Sequence, residues 1–170
     1  MQKVFTGIVD RGFQYASGQA VGREEAPSPF PHGTVRMQHE IFREHGIDLE
    51  MLVPDLFWGT VNVLLGEKLK LERPDYTARA VDWTKDLEGK ARIAPETFSF
   101  TRCCLAYPSP NQDGAWSYYP GLIYYPHPET KPGTNAHNFN ALEILTSEVP
   151  NLVYGTTASV ICRADAFVPF

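Results

Sequence analysis

Apolar and polar residues alternate in short runs along most of this chain, and that alternation predicts its elements. Side chains switch faces at every step of a strand, so a period of two marks a strand with one buried face. Residues 5–9 read as a first strand. Phe57-Trp58-Gly59-Thr60-Val61-Asn62-Val63-Leu64-Leu65 opens a second, with Thr60 and Asn62 on one face and Val61 and Val63 on the other. Further strands are expected at 68–72, 76–82, 98–107, 121–126, 141–145 and 158–162. A helical period occurs once, over about 35–45, with Thr34 as N-cap and Gly46 just past the end. Gln38, Ile41, Phe42 and His45 would share its apolar face. Between these lie a small-residue loop at 10–22, a rigid proline connector at 27–33, a turn at 108–114 and a polar loop at 127–138. Several short strands punctuated by turns predict an all-β sandwich or barrel with one short helix and long loops.

Composition narrows what such a fold can do. A chain of 170 residues suits a single domain spanning 1–170, and its 43% hydrophobic content is enough for a substantial core. A net charge of -5 with no basic run argues against a nucleic-acid surface. No apolar stretch is long enough to span a bilayer, and the first residues lack the apolar core of a secretory signal. Three cysteines, the adjacent Cys103 and Cys104 and the distant Cys162, form neither a disulfide framework nor a zinc spacing. The expected setting is therefore a reducing cytoplasm, and the oligomeric state is left open.

The candidate chemistry is sparse and polar. Thr60 and Asn62 set two neutral oxygen donors side by side, which suits a hard cation such as magnesium together with waters and phosphates. In the loop Gly12-x5-Gly18-x3-Gly22, flanked by Arg11 and Arg23, glycines let backbone N–H groups approach phosphate oxygens, although no Walker ending follows. His127, Glu129 and His137 lie in the polar loop at no standard metal spacing, so a ligand-pocket loop is the better reading. Glu143 interrupts the apolar run Ala141-Leu142-Glu143-Ile144-Leu145; it faces solvent or, if turned inward, needs a polar partner such as a ligand hydroxyl. Cys103 and Cys104 point to opposite faces of a strand, so at most one could act as a nucleophile, and no nucleophile signature surrounds them. Trp116, Tyr118, Tyr119, Tyr124 and Tyr125 suit ligand stacking and core packing equally.

In order along the chain these pieces resemble the archaeal-type CTP-dependent riboflavin kinases. The resemblance rests on the first strand and glycine loop, the helix ending in His45-Gly46-Ile47, and Gly59-Thr60-Val61-Asn62-Val63. It continues through Gly121-Leu122-Ile123-Tyr124-Tyr125-Pro126, Thr130, Glu143 and Asn151-Leu152-Val153-Tyr154-Gly155-Thr156. It implies a small closed β-barrel of the cradle-loop type. It also implies magnesium at Thr60 and Asn62, flavin contacts at Thr130 and Glu143, and donor phosphates beside Gly12 and Gly18. The implied reaction moves a phosphate from a nucleoside triphosphate, CTP in that family, to the primary hydroxyl of riboflavin or a similar polyol, with Glu143 on that hydroxyl. The glycine loop is longer than the family's, and 146–150 is acidic where the family has a basic turn. Two other readings stand beside the kinase: a non-catalytic flavin-like binding module on the same barrel, and a structural barrel with 116–125 as a partner surface.

Overall fold

Strand β1 (Gln2–Asp10) buries Phe5 and Val9 and leaves Val4, Thr6 and Ile8 outside, the signature of a strand covered on one face. The same logic builds β2 (Val61–Leu64) and β8 (Thr157–Arg163), while β5 (Glu96–Pro108), β6 (Trp116–Pro126) and β7 (Ala141–Thr146) are covered on both faces over part of their length. In the computed structural model, which describes residues 1–12, 16–17, 30, 32–89, 92–109, 113–130 and 140–170, these six strands close into an antiparallel barrel. Their order is β5-β6-β7-β2-β1-β8, and a second pairing of β5 with β8 completes the circle. Closure removes the exposed edges that a flat sheet would offer. Each strand sends a side chain into the interior: Val9, Val63, Leu105, Ile123, Ile144 and Val160 are essentially inaccessible to solvent. A small sheet of β3 (Leu69–Leu71) with β9 (Phe167–Pro169) adds Leu69, Leu71 and Phe167 to the same core.

A second core lies outside the barrel. Strand β4 (Tyr76–Val81) pairs with the first half of β5, whose second half pairs with β8. Over the outer face of β4, β5, β6 and β7 lie helices α1 (Thr34–Glu44) and α2 (Leu49–Leu52). Phe42 inserts edge-on between Phe98 and Phe100, its ring centroid 5.2 and 5.1 Å from theirs. The buried stripe of α1 is Val35, Gln38, His39 and Phe42. Ile41 is only half-buried and His45 is exposed, so the expected face is rotated by about one position. Its N-cap is Gly33, and Thr34 is already the first helical residue. Gly46 ends the helix as expected: with φ of 74° it bonds Arg43 O while Ile47 N bonds Phe42 O, a Schellman closure with Phe42 and Ile47 in one core.

Besides β9, a strand that the sequence reading did not include, two elements depart from it. Helix α2 lies outside the one stretch where the sequence shows a helical period. It is four residues long and is held by Asp48, whose carboxylate accepts the N–H groups of Glu50 and Met51. Strand β6 begins at Trp116 rather than Gly121, because Trp116 to Pro120 pair with Pro108 to Cys104 in a long hairpin. No described helix is long and apolar enough to cross a membrane.

Candidate functional site

One transverse rung of side chains links the sequence candidates. Asp10, Asn62, Glu143 and Tyr124 are successive register partners across β1, β2, β7 and β6. Directly opposed residues of an antiparallel pair share a face, with Cβ atoms about 4.5–5.5 Å apart. Val61, Val63, Leu142 and Ile144 take the interior, so the rung lies on the outside of the barrel. It runs from an open polar end at Asp10 to a buried end at Tyr124, whose hydroxyl donates to Gln38 Oε1 of α1 at 2.9 Å. Glu143 is half-buried at the transition. Of the two choices that the strand pattern offered it takes the outward one, partly covered rather than fully exposed. Burial, then the charges of Glu143 and Glu96, push the Tyr124 phenol well above its ordinary range.

Beside the polar end of the rung, a cleft of about 190 Å³ opens at the barrel rim. Thr60 and Asn62 both line it, together with Asp10, Arg11 and Ser17, and Phe57, Leu152 and Tyr154 add apolar surface. The segment before β2 is held there from β7: Leu56 bridges Ser147, and Phe57 N–H donates to Thr146 O at 2.9 Å. Glu143 is not part of the cleft wall, but its register partner Asn62 is. Thr60, just before β2, and Asn62 within it thus line one space.

Gly12 belongs to this arrangement in a way the glycine spacing did not suggest. Its N–H donates to Asp10 Oδ2 at 2.9 Å, so it is committed within the loop. Its φ is 56°, and a Cβ there would stand 2.6 Å from Asn62 Nδ2 and 2.9 Å from Asn62 Cγ. Glycine is therefore what allows the loop to lie against the Asn62 amide. Gly18 and His137 lie outside the described residues.

No protein-family model, no curated protein and no solved structure matches the chain.

Thr130 stands apart from the cleft. It ends a single 3-10 turn (Pro128–Thr130), where its hydroxyl donates to His127 O at 2.9 Å and accepts the Thr97 N–H at 2.9 Å. His127 bonds Ser99 Oγ through Nε2 at 2.8 Å and Glu129 Oε1 through Nδ1 at 2.9 Å. Ser99 is fully buried and also bonds Thr77 Oγ1, so this chain of polar groups rivets β4, β5 and the end of β6. His39, Asp48 and Glu50 bring ligand-type atoms within 4.8 Å of one another. The polar atoms of two of them serve the start of α2: His39 Nε2 accepts the Leu49 N–H at 3.3 Å, and Asp48 caps. Cys103 faces the barrel interior and Cys104 the outside, opposite faces as expected.

The sequence reading had not singled out Asp10, Phe57 or Tyr154. Asp10 carries one signal that could have found it, an acid at the end of a strand two residues before a glycine. Phe57 and Tyr154 are large aromatics left 43% and 53% exposed, which only the folded chain reveals.

Proposed function

We propose that the protein is a metal-dependent phosphotransferase, moving a phosphate from a nucleoside triphosphate to the primary hydroxyl of riboflavin or a similar polyol. The observation that carries this reading is the pairing of Asn62 with Glu143. Two residues far apart in sequence are direct register neighbours, one suited to metal and lining the cleft, the other suited to an acceptor hydroxyl and next to it.

The donor set fits a hard cation. Thr60 contributes a hydroxyl, Asn62 an amide and Asp10, opposite Asn62, a carboxylate; all are oxygen donors of the kind magnesium accepts. When bound, the metal would offset charge on the donor phosphates. The remaining work falls to the chain. Arg11, on the cleft wall, would draw the phosphates towards the rim. Glu143 would accept a hydrogen bond from the acceptor's primary hydroxyl, aim its oxygen at the phosphorus and take its proton at a carboxylate oxygen. Phe57 and Tyr154 would shield one side from water. Phosphoryl transfer depends mainly on positioning and charge stabilisation, so this small cast is adequate.

The test is incubation with riboflavin, magnesium and each nucleoside triphosphate in turn, followed by chromatography of the flavins. Formation of FMN supports the reading and names the donor. Asn62→Asp and Glu143→Gln should then each lower turnover at least tenfold with the fold intact; unchanged rates in both refute the assignment. A second reading, a flavin-like binding module without catalysis, is favoured by the charge of the cleft. Among its described lining residues Arg11 is the lone cation, against Asp10 and Glu148. Riboflavin binding that is indifferent to magnesium, with no FMN formed, would select it.

A further inference from the structure

The barrel closes where β5 meets β8, and a pair of thiols sits on that seam. Cys103 of β5 and Cys162 of β8 are direct register partners. Both face inwards, Cys162 in the interior core and Cys103 packed half-buried against it. Directly opposed Cα atoms of an antiparallel pair lie about 4.5 or 5.5 Å apart, and both spacings fall within the roughly 4.4–6.8 Å that a disulfide spans. The third thiol cannot compete, because Cys104 points to the outer face of the same strand, where its register partner on β8 is Ile161.

We propose that Cys103 and Cys162 are a disulfide site that staples the closing seam of the barrel when the protein meets a low-molecular-weight disulfide. One cysteine thiolate attacks a sulfur of the oxidant, forming a mixed disulfide and expelling one thiolate, which takes up a proton. The second cysteine thiolate then attacks the protein sulfur of that mixed disulfide, the Sγ–Sγ bond forms, and the second small thiol leaves. Two protein thiols lose two protons and two electrons, and one small disulfide becomes two thiols. Burial, and then the charge of its partner, pushes the Cys103 thiol well above its ordinary value, while burial pushes Cys162 to about 11. Since the thiolate is the attacking form, bridging accelerates with pH across the range below 11. The loop that it closes includes β6, β7 and most of β8, so the staple constrains a large part of the unfolded chain.

The experiment is incubation of the folded, fully reduced protein with oxidised glutathione at pH 7.5 and pH 9, followed by intact-mass measurement and a non-reducing peptide map. The expected result is a loss of about two mass units, one linked peptide joining Cys103 to Cys162, faster formation at pH 9, and an unfolding midpoint raised by about 5 °C or more. Cys104→Ser should bridge as the native chain does, and Cys162→Ser should not. The native-chain peptide map decides the question even if a variant folds poorly. Thiols that stay free at pH 9 while the urea-unfolded chain oxidises would overturn the proposal. So would a linkage through Cys104, or a bridge that lowers the midpoint.

Discussion

Replacing Gly12 with alanine tests the contact on which the candidate site turns. Two effects add. The backbone at Gly12 has φ of 56°, a left-handed conformation that disfavours an L side chain by about 1–2 kcal/mol. The new methyl would also lie 2.6 Å from Asn62 Nδ2, closer than real contacts allow. Relieving it turns the Asn62 side chain off its rotamer, which costs about 0.5–1.5 kcal/mol. The expected destabilisation relative to the native chain is therefore about 1.5–3.5 kcal/mol in urea unfolding. In an Asn62→Ala background the amide is gone and only the backbone part should remain. Completing the double-mutant cycle should return a coupling of about 1 kcal/mol between the two positions. An equal loss in both backgrounds would mean that Gly12 does not rest on Asn62, and the account of the loop would fail.

Other substitutions probe the parts that hold the site. Thr130→Val removes a donor and an acceptor at once and orphans the Thr97 N–H; it should cost about 1–3 kcal/mol in chemical unfolding, with Thr130→Ser close to native. If Thr130→Val instead weakens flavin binding with no loss of stability, its role is in the ligand site. Phe42→Ala empties the space between Phe98 and Phe100 and should cost about 3–5 kcal/mol, a figure that thermal and urea unfolding can check together. At Asp48, burial raises the carboxyl, but the N–H of Met51, the His39 side chain and the N–H of Glu50 outweigh it and leave it below its ordinary 3.8. A depressed folded-state value contributes stability above pH 3.8 that is lost as pH falls towards the folded value. Asp48→Asn should therefore flatten the acid limb of the stability curve below pH 3.8, and an unchanged limb would contradict the capping role.

The strands were legible wherever one face is covered and the other is not. Val61 and Val63 against Asn62, or Leu142 and Ile144 against Glu143, carry the period of two openly. Strand β6 does not, because Leu122 and Tyr124 face the helices while Ile123 and Tyr125 face the interior. Its exposed half, with Trp116 and Tyr118 pointing out, resembled a loop. Helix α2 is too short for any period and exists through tertiary support from Asp48 and His39. At the site, Thr60 and Asn62 were legible as near neighbours in sequence that end up lining one cleft. The pairing of Asn62 with Glu143, and of Asp10 with Asn62, was not. Register between distant strands is decided by how the whole barrel packs, and no local pattern encodes it.

The double allegiance of β8, paired with β1 on one side and β5 on the other, sets the order of events at the ribosome. Strand β1 cannot find this neighbour until residues 157–163 have been made. At about 5–20 residues per second that interval is on the order of ten seconds. Until β8 arrives, β1 and, once it has been made, the second half of β5 each lack the strand that covers this edge, the kind of edge that recruits strands from other chains. A transcript that stops short of β8 would yield a nascent protein in which β1 and β5 both lack the strand that pairs with them.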